Sequence, residues 1–161
     1  MPKGIVIPAD EDAPLRAEEF SDFADYQRAV GGLIQPVDID DLKVTFYVNE
    51  EGKLHGLPAN WRATLLWWVN EPSMRDRDYF VGDVVLVGAP DGSGDTTDLP
   101  EEMTDALLSE RPWRVEVQLA DEPGVWQRAQ ATYPTYLAAC NAVLVVTSWW
   151  VAVTDTRIVP A

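Results

Sequence analysis

The sequence predicts an α+β protein built from two modules. Several short segments alternate apolar and polar residues, which is the period of strands that bury one face. Other segments repeat apolar residues at helical spacing, and short turns between strand segments favour antiparallel pairing. We therefore expect a mixed or antiparallel sheet with helices over residues 1–112, followed by a strand–strand–helix–strand module over residues 113–161 that packs against it.

The N-terminal region predicts a strand followed by a helix. Residues 4–7 form a short apolar run that Pro8 stops, as expected of an opening strand. Over residues 15–30, apolar residues recur near helical spacing, acids come early and Arg28 comes late. This is the usual charge polarity of a helix, and Gly31 follows as an end signal. We therefore expect one helix from about residue 15 to residue 30.

Two strand segments follow this helix. Residues 33–39 and 43–49 are rich in β-branched and aromatic residues, and the second segment alternates strictly. Asp40 and Asp41 lie between the two segments and suit a tight turn. After the second segment, Gly52 is available for a positive φ in the next turn.

The rest of the first module contains one ambiguous segment and three clearer ones. Residues 60–72 allow a helix capped by Asn60 or an irregular apolar segment, and the sequence does not decide between them. Residues 79–88 predict a buried strand, residues 89–100 predict a mobile loop, and residues 100–110 predict a short helix with acids in its first turn.

The second module begins at Pro112, where the charge density falls. Residues 113–120 alternate cleanly, and after a turn residues 125–133 return as the second arm of a hairpin. A helix is expected to start near Pro134, and residues 149–159 close the chain with a strand.

The net charge of −15 is unusual for a chain of 161 residues. Residues 113–161 carry only four of the 27 acids, so the negative charge is concentrated in the first module. Such a surface repels nucleic acid and anionic membranes, so we expect no direct binding to either. It suits a basic protein partner, although a solvated surface without a specific role is the simpler interpretation.

Cysteine usage and hydropathy predict a cytoplasmic protein. Cys140 is the only cysteine, so there is no internal disulfide framework, and a free thiol weakly favours a reducing compartment. The N-terminus has no long apolar run of the kind that a signal peptide requires. Residues 129–154 are uncharged, but they contain polar residues and no basic cluster flanks them. We therefore expect a buried helix and strand there, not a membrane span.

No motif predicts a reaction, a cofactor or a metal. The chain lacks a P-loop, a strand-linked G-x-G-x-x-G, a G-x-S-x-G and an H-E-x-x-H. One histidine and one cysteine cannot build the usual Cys/His zinc site. A partial calcium-loop pattern over residues 91–102 is broken, because Thr96 stands where glycine is required. We therefore expect no catalytic residues, no cofactor and no metal ligands.

Residues 47–64 hold the only histidine, two adjacent acids and a run of turn-forming residues. We interpret the segment as a strand end and a glycine turn, with His55 as a bystander. Adjacent tryptophans in a strand point to opposite faces, so if the two pairs lie in strands, one ring of each faces outward or into a second layer. An exposed tryptophan would mark a partner surface. The candidate interaction surface consists of Glu50, Glu51, His55, Asn60, Trp67, Trp68, Trp149 and Trp150.

A set of spaced positions in the first module carries a family resemblance. They are Val30, Gly31, Gly32, Ile34, Asn49, Glu50, Glu51, Gly52, Lys53, Gly56, Leu57, Pro58, Asn60, Ala63, Thr64, Gly82, Val87 and Gly88. Over about residues 4–110 the chain resembles the domain of unknown function 3846, an uncharacterised family common in phages and actinobacterial mobile elements. The resemblance implies a small intracellular accessory protein, located in the host cytoplasm if a phage encodes it. It supplies no catalytic residues.

Three functions are compatible with these observations. We expect first a non-enzymatic accessory protein from a phage or mobile element that binds a host or phage protein. The alternatives are a nucleic-acid mimic that inhibits a DNA-binding enzyme, and a small enzyme or ligand-binding protein with a site near residues 49–64. Homo-oligomerisation through the tryptophan pairs stays open as well.

Overall fold

A computed structural model describes all residues 1–161 and contains four α-helices and eight strands, which confirms the α+β class. By its internal contacts the chain divides into two compact units, residues 1–108 and 109–161. In chain order the elements are β1 (Lys3–Ile7), β2 (Arg16–Glu19), α1 (Phe23–Val30), β3 (Ile34–Ile39), β4 (Val44–Asn49), α2 (Trp61–Asn70), β5 (Val84–Gly88), α3 (Glu101–Leu108), β6 (Trp113–Leu119), β7 (Glu122–Arg128), α4 (Tyr136–Trp149) and β8 (Val153–Pro160).

The first unit is built on a five-stranded antiparallel sheet with the strand order β2-β1-β5-β4-β3. Its central strand, β5, is buried at every residue, so both faces of the sheet carry a core. On one face, α1 packs Tyr26 and Val30 against Val6, Val85 and Val87. The other face contributes fully buried side chains from the same three central strands, namely Ile5, Ile7, Val44, Phe46, Val84 and Leu86.

The helix predicted over residues 15–30 is wrong in its first half. Residues Arg16–Glu19 form strand β2, which pairs antiparallel with β1 in the register Lys3↔Glu19 and Val6↔Arg16. The acids of this segment resemble the start of a helix in the sequence, but the backbone of residues 16–19 forms ladder hydrogen bonds with β1 instead. Tertiary pairing therefore overrides the local signal.

Helix α1 begins at Phe23 because its cap lies one residue earlier. The Asp22 carboxylate accepts a hydrogen bond from the Asp25 backbone N–H at 3.1 Å, and the Asp25 carboxylate accepts from both the N–H and the hydroxyl of Ser21 at 2.7 Å. These bonds to Ser21, with a further one from Arg28, hold the pKa of Asp25 well below its usual range. The helix ends at Gly31, which has a φ of 80°.

Residues 89–100 form a loop that returns to the end of β5. The Gly88 N–H donates to the Thr97 carbonyl at 3.0 Å, and the two residues form an antiparallel bridge. The approach is so close that a Cβ atom at Gly88 would lie 2.2 Å from the Asp98 carbonyl oxygen. Glycine is therefore required at this position by the neighbouring backbone and not by its own φ.

The second unit is a three-stranded antiparallel sheet, ordered β7-β6-β8, with α4 against one face. Trp113, Val115 and Val117 are buried on that face of β6, and the Trp113 ring meets the Tyr136 ring of α4 at 5.2 Å. Unit 2 therefore has the predicted order of strand, strand, helix and strand. None of the helices combines the length and the apolar content that a bilayer crossing requires.

On the opposite face of this sheet, Glu116 lies between two arginines. Its carboxylate accepts a hydrogen bond from Arg157 Nε at 2.7 Å and another from Arg128 Nε at 3.0 Å. These two bonds, that of Arg157 first, lower the pKa of Glu116. The Arg157 guanidinium also lies 4.2 Å from the centre of the Trp126 ring, so the three strands are joined on this face by one polar cluster.

Cys140 lies fully buried in α4. Burial raises the pKa of its thiol to about 12, so almost no thiolate is present near neutral pH. We expect a thiol reagent such as dithionitrobenzoate to react with the native chain at least about a hundredfold more slowly than with the chain in guanidinium chloride. Equal rates, measured by the absorbance of the released thiolate, would contradict this burial.

Candidate functional site

The end of strand β4 is fixed by Asn49. Its side chain donates to the Val30 carbonyl at 3.2 Å and accepts from the Glu51 N–H at 2.9 Å. The next turn contains Gly52, which does not have the positive φ expected from the sequence. Glycine is needed there because a Cβ atom would lie 2.8 Å from a methyl group of Val81. The positive φ of this segment belongs to Gly56, at 67°.

Asn60 connects the start of α2 to the central strands. Its Oδ1 accepts from the Ala63 N–H at 3.1 Å as a helix cap. Its Nδ2 donates to the Ile7 carbonyl at 2.8 Å and to the Gly82 carbonyl at 2.9 Å. The ambiguity over residues 60–72 is therefore resolved in favour of the capped helix.

Helix α2 packs one face inward against Phe80. The Trp67 ring is stacked on the Phe80 ring with centroids 4.2 Å apart, and Phe80 in turn contacts Phe46 of β4 at 5.0 Å. The Thr64 hydroxyl accepts a hydrogen bond from the Phe80 N–H at 3.0 Å. Residues Phe80 and Val81 are thereby held against the sheet as an extended segment.

The outer face of α2 carries a second aromatic group. Trp61 and Trp68 are seven residues apart and share one side of the helix, and their rings meet at 6.3 Å. The Tyr79 ring stacks on Trp61 at 5.8 Å with an angle of 24° between the planes. Because successive residues of an extended segment point to opposite sides, Phe80 enters the core while Tyr79 stays outside.

These outer rings and two neighbouring side chains form what we call the aromatic surface: Lys53, Leu54, Trp61, Trp68 and Tyr79. Leu54 is 87% exposed, Trp61 46% and Tyr79 42%. The Lys53 ammonium lies 4.7 Å from the centre of the Tyr79 ring and pairs with the Asp78 carboxylate. The Trp68 indole N–H donates to the Asp78 carbonyl at 2.8 Å, so the rings are held by specific contacts.

A groove of about 140 Å³ runs beside the aromatic surface. Lys53, Leu54 and Tyr79 line one side of it, and Gln35 and Val37 of strand β3 line the other. Polar side chains such as Glu50, Lys53 and Asp78 contribute more of its lining than apolar ones, and Tyr79 is the ring that the groove shares with the aromatic surface. The exposed side chains of Leu54 and Tyr79 can contact an apolar group of another molecule, and the polar lining can bind its polar atoms.

The predicted interaction residues differ in their exposure to solvent. Glu50, Glu51 and His55 are exposed, and the His55 Nε2 lies 3.2 Å from a Glu51 carboxylate oxygen. Glu50 also lines the groove. Asn60 and Trp67 are buried, with 0% and 4% of their surface exposed. Their assignment to an interaction surface is corrected, because both are structural residues of the core.

Neither tryptophan pair is in a strand, and the strand predicted over residues 149–159 begins only at Val153. Trp67 and Trp68 lie in α2, where helical rotation sends one ring inward and the other outward. Trp149 ends α4 and Trp150 follows it, and their rings stack on each other at 5.8 Å in the second unit. Trp68 therefore belongs to the aromatic surface, whereas Trp149 and Trp150 form a separate group.

Four members of the aromatic surface, Lys53, Leu54, Trp61 and Tyr79, are absent from the interaction residues predicted from the sequence. Leu54 is part of a turn, and nothing local indicates that its side chain stays in solvent. The outward position of Tyr79 can be predicted, because Tyr79, Phe80 and Val81 follow a turn as an extended run in which alternate residues face opposite ways.

The other polar clusters and cavities of the structure give less support for a functional site than the aromatic surface does. No group of three or more His, Cys, Asp or Glu side chains is arranged to hold a metal ion. A cavity of about 650 Å³ lies between β2 and the start of α3 and is rimmed by Glu18, Glu19 and Glu101. The Asp98 carboxylate at its edge already accepts the Lys3 N–H at 2.8 Å. The lining of this cavity is more apolar than polar, and none of its polar side chains is buried without a hydrogen-bond partner.

Comparison with known proteins gives one match. Residues 2–111 match the model of a family described as Domain of unknown function (DUF3846). No curated protein and no solved structure matches the chain.

Proposed function

The chain belongs to the family Domain of unknown function (DUF3846) through residues 2–111, and since this membership brings no activity with it, we propose from the geometry of the first unit that the protein binds a protein partner without catalysis. The observation that carries the proposal is the stacked, half-exposed pair of Trp61 and Tyr79 beside the exposed Leu54. Tryptophan and tyrosine are the residues most enriched at the energetic centres of protein interfaces.

The rings of the aromatic surface are ordered before any partner arrives. Trp61 and Trp68 are attached to a helix whose other face is in the core, and Tyr79 is fixed between Trp61 and the Lys53 ammonium. Association then costs little side-chain entropy, and more of the energy of burying the rings appears as affinity.

The charge around these rings points to the chemistry of the partner. Glu50 and Glu51 are exposed next to the groove, and residues 1–112 carry 23 of the 27 acids. Stacked rings alone would also accept nucleobases, but a net charge of −15 opposes the phosphate backbone. We therefore propose a basic protein segment that inserts an apolar or aromatic side chain between Leu54 and Tyr79.

The proposal is tested by replacing the two stacked rings. A Trp61→Ala, Tyr79→Ala variant is expected to lose about 30-fold to 1000-fold in affinity for a protein that the wild type captures from a host lysate, since interface hot spots contribute about 2–4 kcal/mol. The affinity is measured by titration calorimetry with the purified captured protein, and binding should weaken as salt rises.

The matched control is Trp149→Ala, which removes an equally large exposed ring from the second unit. This variant is expected to bind as the wild type does. If the double variant keeps its circular dichroism spectrum and still binds with unchanged affinity, the aromatic surface is not the contact.

Nucleic-acid mimicry, a ligand site near residues 49–64, origin from a phage and location in the host cytoplasm all stay predictions. The arrangement of His55 and Glu51 supports binding over catalysis, because both side chains are more than half exposed. A general base with a tuned pKa is usually found in a more enclosed site.

A further inference from the structure

Strand β8 is the longest strand of the chain, with eight residues, and it lies at the edge of its sheet. Its inner side pairs with β6 in one register from Gln118↔Asp155 to Trp113↔Pro160, and a register shift at Thr154 separates these pairs from the last one, Leu119↔Val153. Its outer side faces no strand. A long edge strand presents backbone N–H and C=O groups that are free to pair with another chain.

The hydrogen bonds around β8 define which residues face outward. The Ala161 N–H donates to the Pro112 carbonyl at 3.0 Å, so residue 161 points toward β6. Successive residues alternate in an antiparallel strand, and Arg157 therefore also points its backbone toward β6, whereas Thr156 and Ile158 point away. Pro160 likewise faces outward, where its missing N–H costs no ladder hydrogen bond.

The side chain of Asp155 provides independent support for this orientation. Its carboxylate accepts a hydrogen bond from the Thr156 N–H at 2.8 Å. An N–H that pairs with β6 would have no need of this contact. In the isolated chain the Thr156 N–H on the outer edge of β8 is thus covered by an exposed carboxylate.

The other sheet edges are interrupted more thoroughly. Strand β2 has only four residues, two of them glutamates. Strand β3 contains Pro36 in its third position, and β7 has Pro123 and Gly124 next to its start. Short strands, charges and internal prolines are the usual devices that prevent edge pairing. In β8 the only proline is the last residue, so the outward N–H of Ile158 is retained, and the outward N–H of Thr156 is covered by the side chain of its neighbour Asp155.

We propose that β8 is a self-association surface that pairs antiparallel with β8 of a second copy of this chain, with a two-fold axis at Thr156. In this register the two Thr156 residues exchange backbone hydrogen bonds, and Ile158 falls opposite Thr154 of the second copy. The two three-stranded sheets then join into one antiparallel sheet. This inference is independent of the aromatic surface, which lies in the other unit.

The same register makes the charges of β8 complementary. Asp155 lies opposite Arg157 of the second copy, and Arg157 lies opposite Asp155 of the second copy. These are non-hydrogen-bonded pairs, whose side chains approach most closely. Arg157 uses its Nε for Glu116 and is about half exposed, so other guanidinium N–H groups can reach a second carboxylate. A shift of the register by two residues would separate Asp155 from Arg157.

The test is the oligomeric state of the full chain. Sedimentation velocity across micromolar concentrations is expected to give a mass that approaches twice the 17.9 kDa of one chain. Thr156→Pro removes an outward N–H and should leave only monomer. Asp155→Arg places like charges opposite each other twice and should raise the dissociation constant about tenfold or more. Asp121→Arg makes the same charge change at an exposed turn and should dimerise as the wild type does.

Two results would overturn the proposal. One is a wild-type chain that stays monomeric over the whole concentration range, in which case Asp155 serves only to protect the edge. The other is a dimer that persists unchanged in Asp155→Arg, which would mean that the copies meet through another surface. Far-ultraviolet circular dichroism of each variant verifies that it is folded, and Asp155→Arg decides the matter if Thr156→Pro does not fold.

Discussion

Replacing Asn60 by alanine is expected to lower the free energy of unfolding of the first unit by about 3 kcal/mol. The side chain is fully buried and makes three hydrogen bonds, two to the carbonyls of Ile7 and Gly82 and one from the Ala63 N–H. Alanine leaves all three backbone groups buried without these partners. Urea denaturation followed by circular dichroism measures the loss.

The matched control is Asn70→Ala at the other end of α2. The Asn70 Nδ2 donates to the Leu66 carbonyl at 2.8 Å, but the side chain is only half-buried. We expect this variant to lose less than about 1 kcal/mol. Equal losses in the two variants would show that Asn60 has no special structural role.

The Asn60→Asp variant separates the role of the side chain as a helix cap from its role as a donor to the Ile7 and Gly82 carbonyls. It keeps an oxygen for the Ala63 N–H but turns an oxygen toward the Ile7 and Gly82 carbonyls. Burial and these carbonyls raise the pKa of the new carboxyl above its unfolded value. The destabilisation relative to wild type should therefore be greatest at neutral pH and should shrink as pH falls through the folded pKa, since the protonated acid can donate one hydrogen bond.

A methyl group at Gly88 is expected to destabilise the first unit by about 3 kcal/mol, which lowers its Tm by more than about 10 °C. The added Cβ would lie 2.2 Å from the Asp98 carbonyl oxygen and 2.3 Å from the Thr97 hydroxyl. The backbone of residues 97–98 is held there by the bridge to Gly88, so the contact can be relieved only by breaking that bridge. Differential scanning calorimetry measures the shift.

Gly92→Ala is the control for this prediction. Gly92 lies in the same loop, has no positive φ and would place its Cβ within 4 Å of no other atom. Its Tm should change by no more than about 2 °C. If Gly88→Ala lowered the Tm no more than Gly92→Ala does, the loop would have to move away from β5 without a loss of stability, which contradicts the prediction.

Elements with a strong local pattern could be predicted from the sequence. Strand β6 alternates because one side of it faces α4, and α3 begins after a proline with two acids in its first turn. Strand β4 alternates in sequence although both of its sides are buried, because the Thr45 hydroxyl donates to the Asp38 carboxylate and the Tyr47 ring packs against Tyr26. Strand β2 could not be predicted, because the pairing of Arg16–Glu19 with β1 decides its conformation. Helix α2 was ambiguous because it is apolar on two faces, with Trp67 in the core and Trp61 in the aromatic surface.

The candidate site could be predicted only in part. The sequence indicates Trp68 as a large aromatic side chain and Asn60 as a helix cap. Only the burial of the two side chains shows that Trp68 belongs to the surface and Asn60 to the core. Tyr79 acquires its position from contacts with a helix that begins 18 residues earlier, at Trp61. The edge position of β8 depends on the strand order of a sheet, which is a property of the whole unit.

The burial of Cys140 gives the molecule a built-in reporter of local opening. The chain has one cysteine, and it lies in α4, so a thiol reagent added under native conditions reads only the motions that expose this helix. When closing is faster than labelling, the observed rate gives the free energy of that opening directly. The seven tryptophans lie in both units, three in the first and four in the second, so fluorescence quenching follows the unfolding of the whole chain. Labelling and quenching, compared over a denaturant series, would tell whether the two units open together or one after the other.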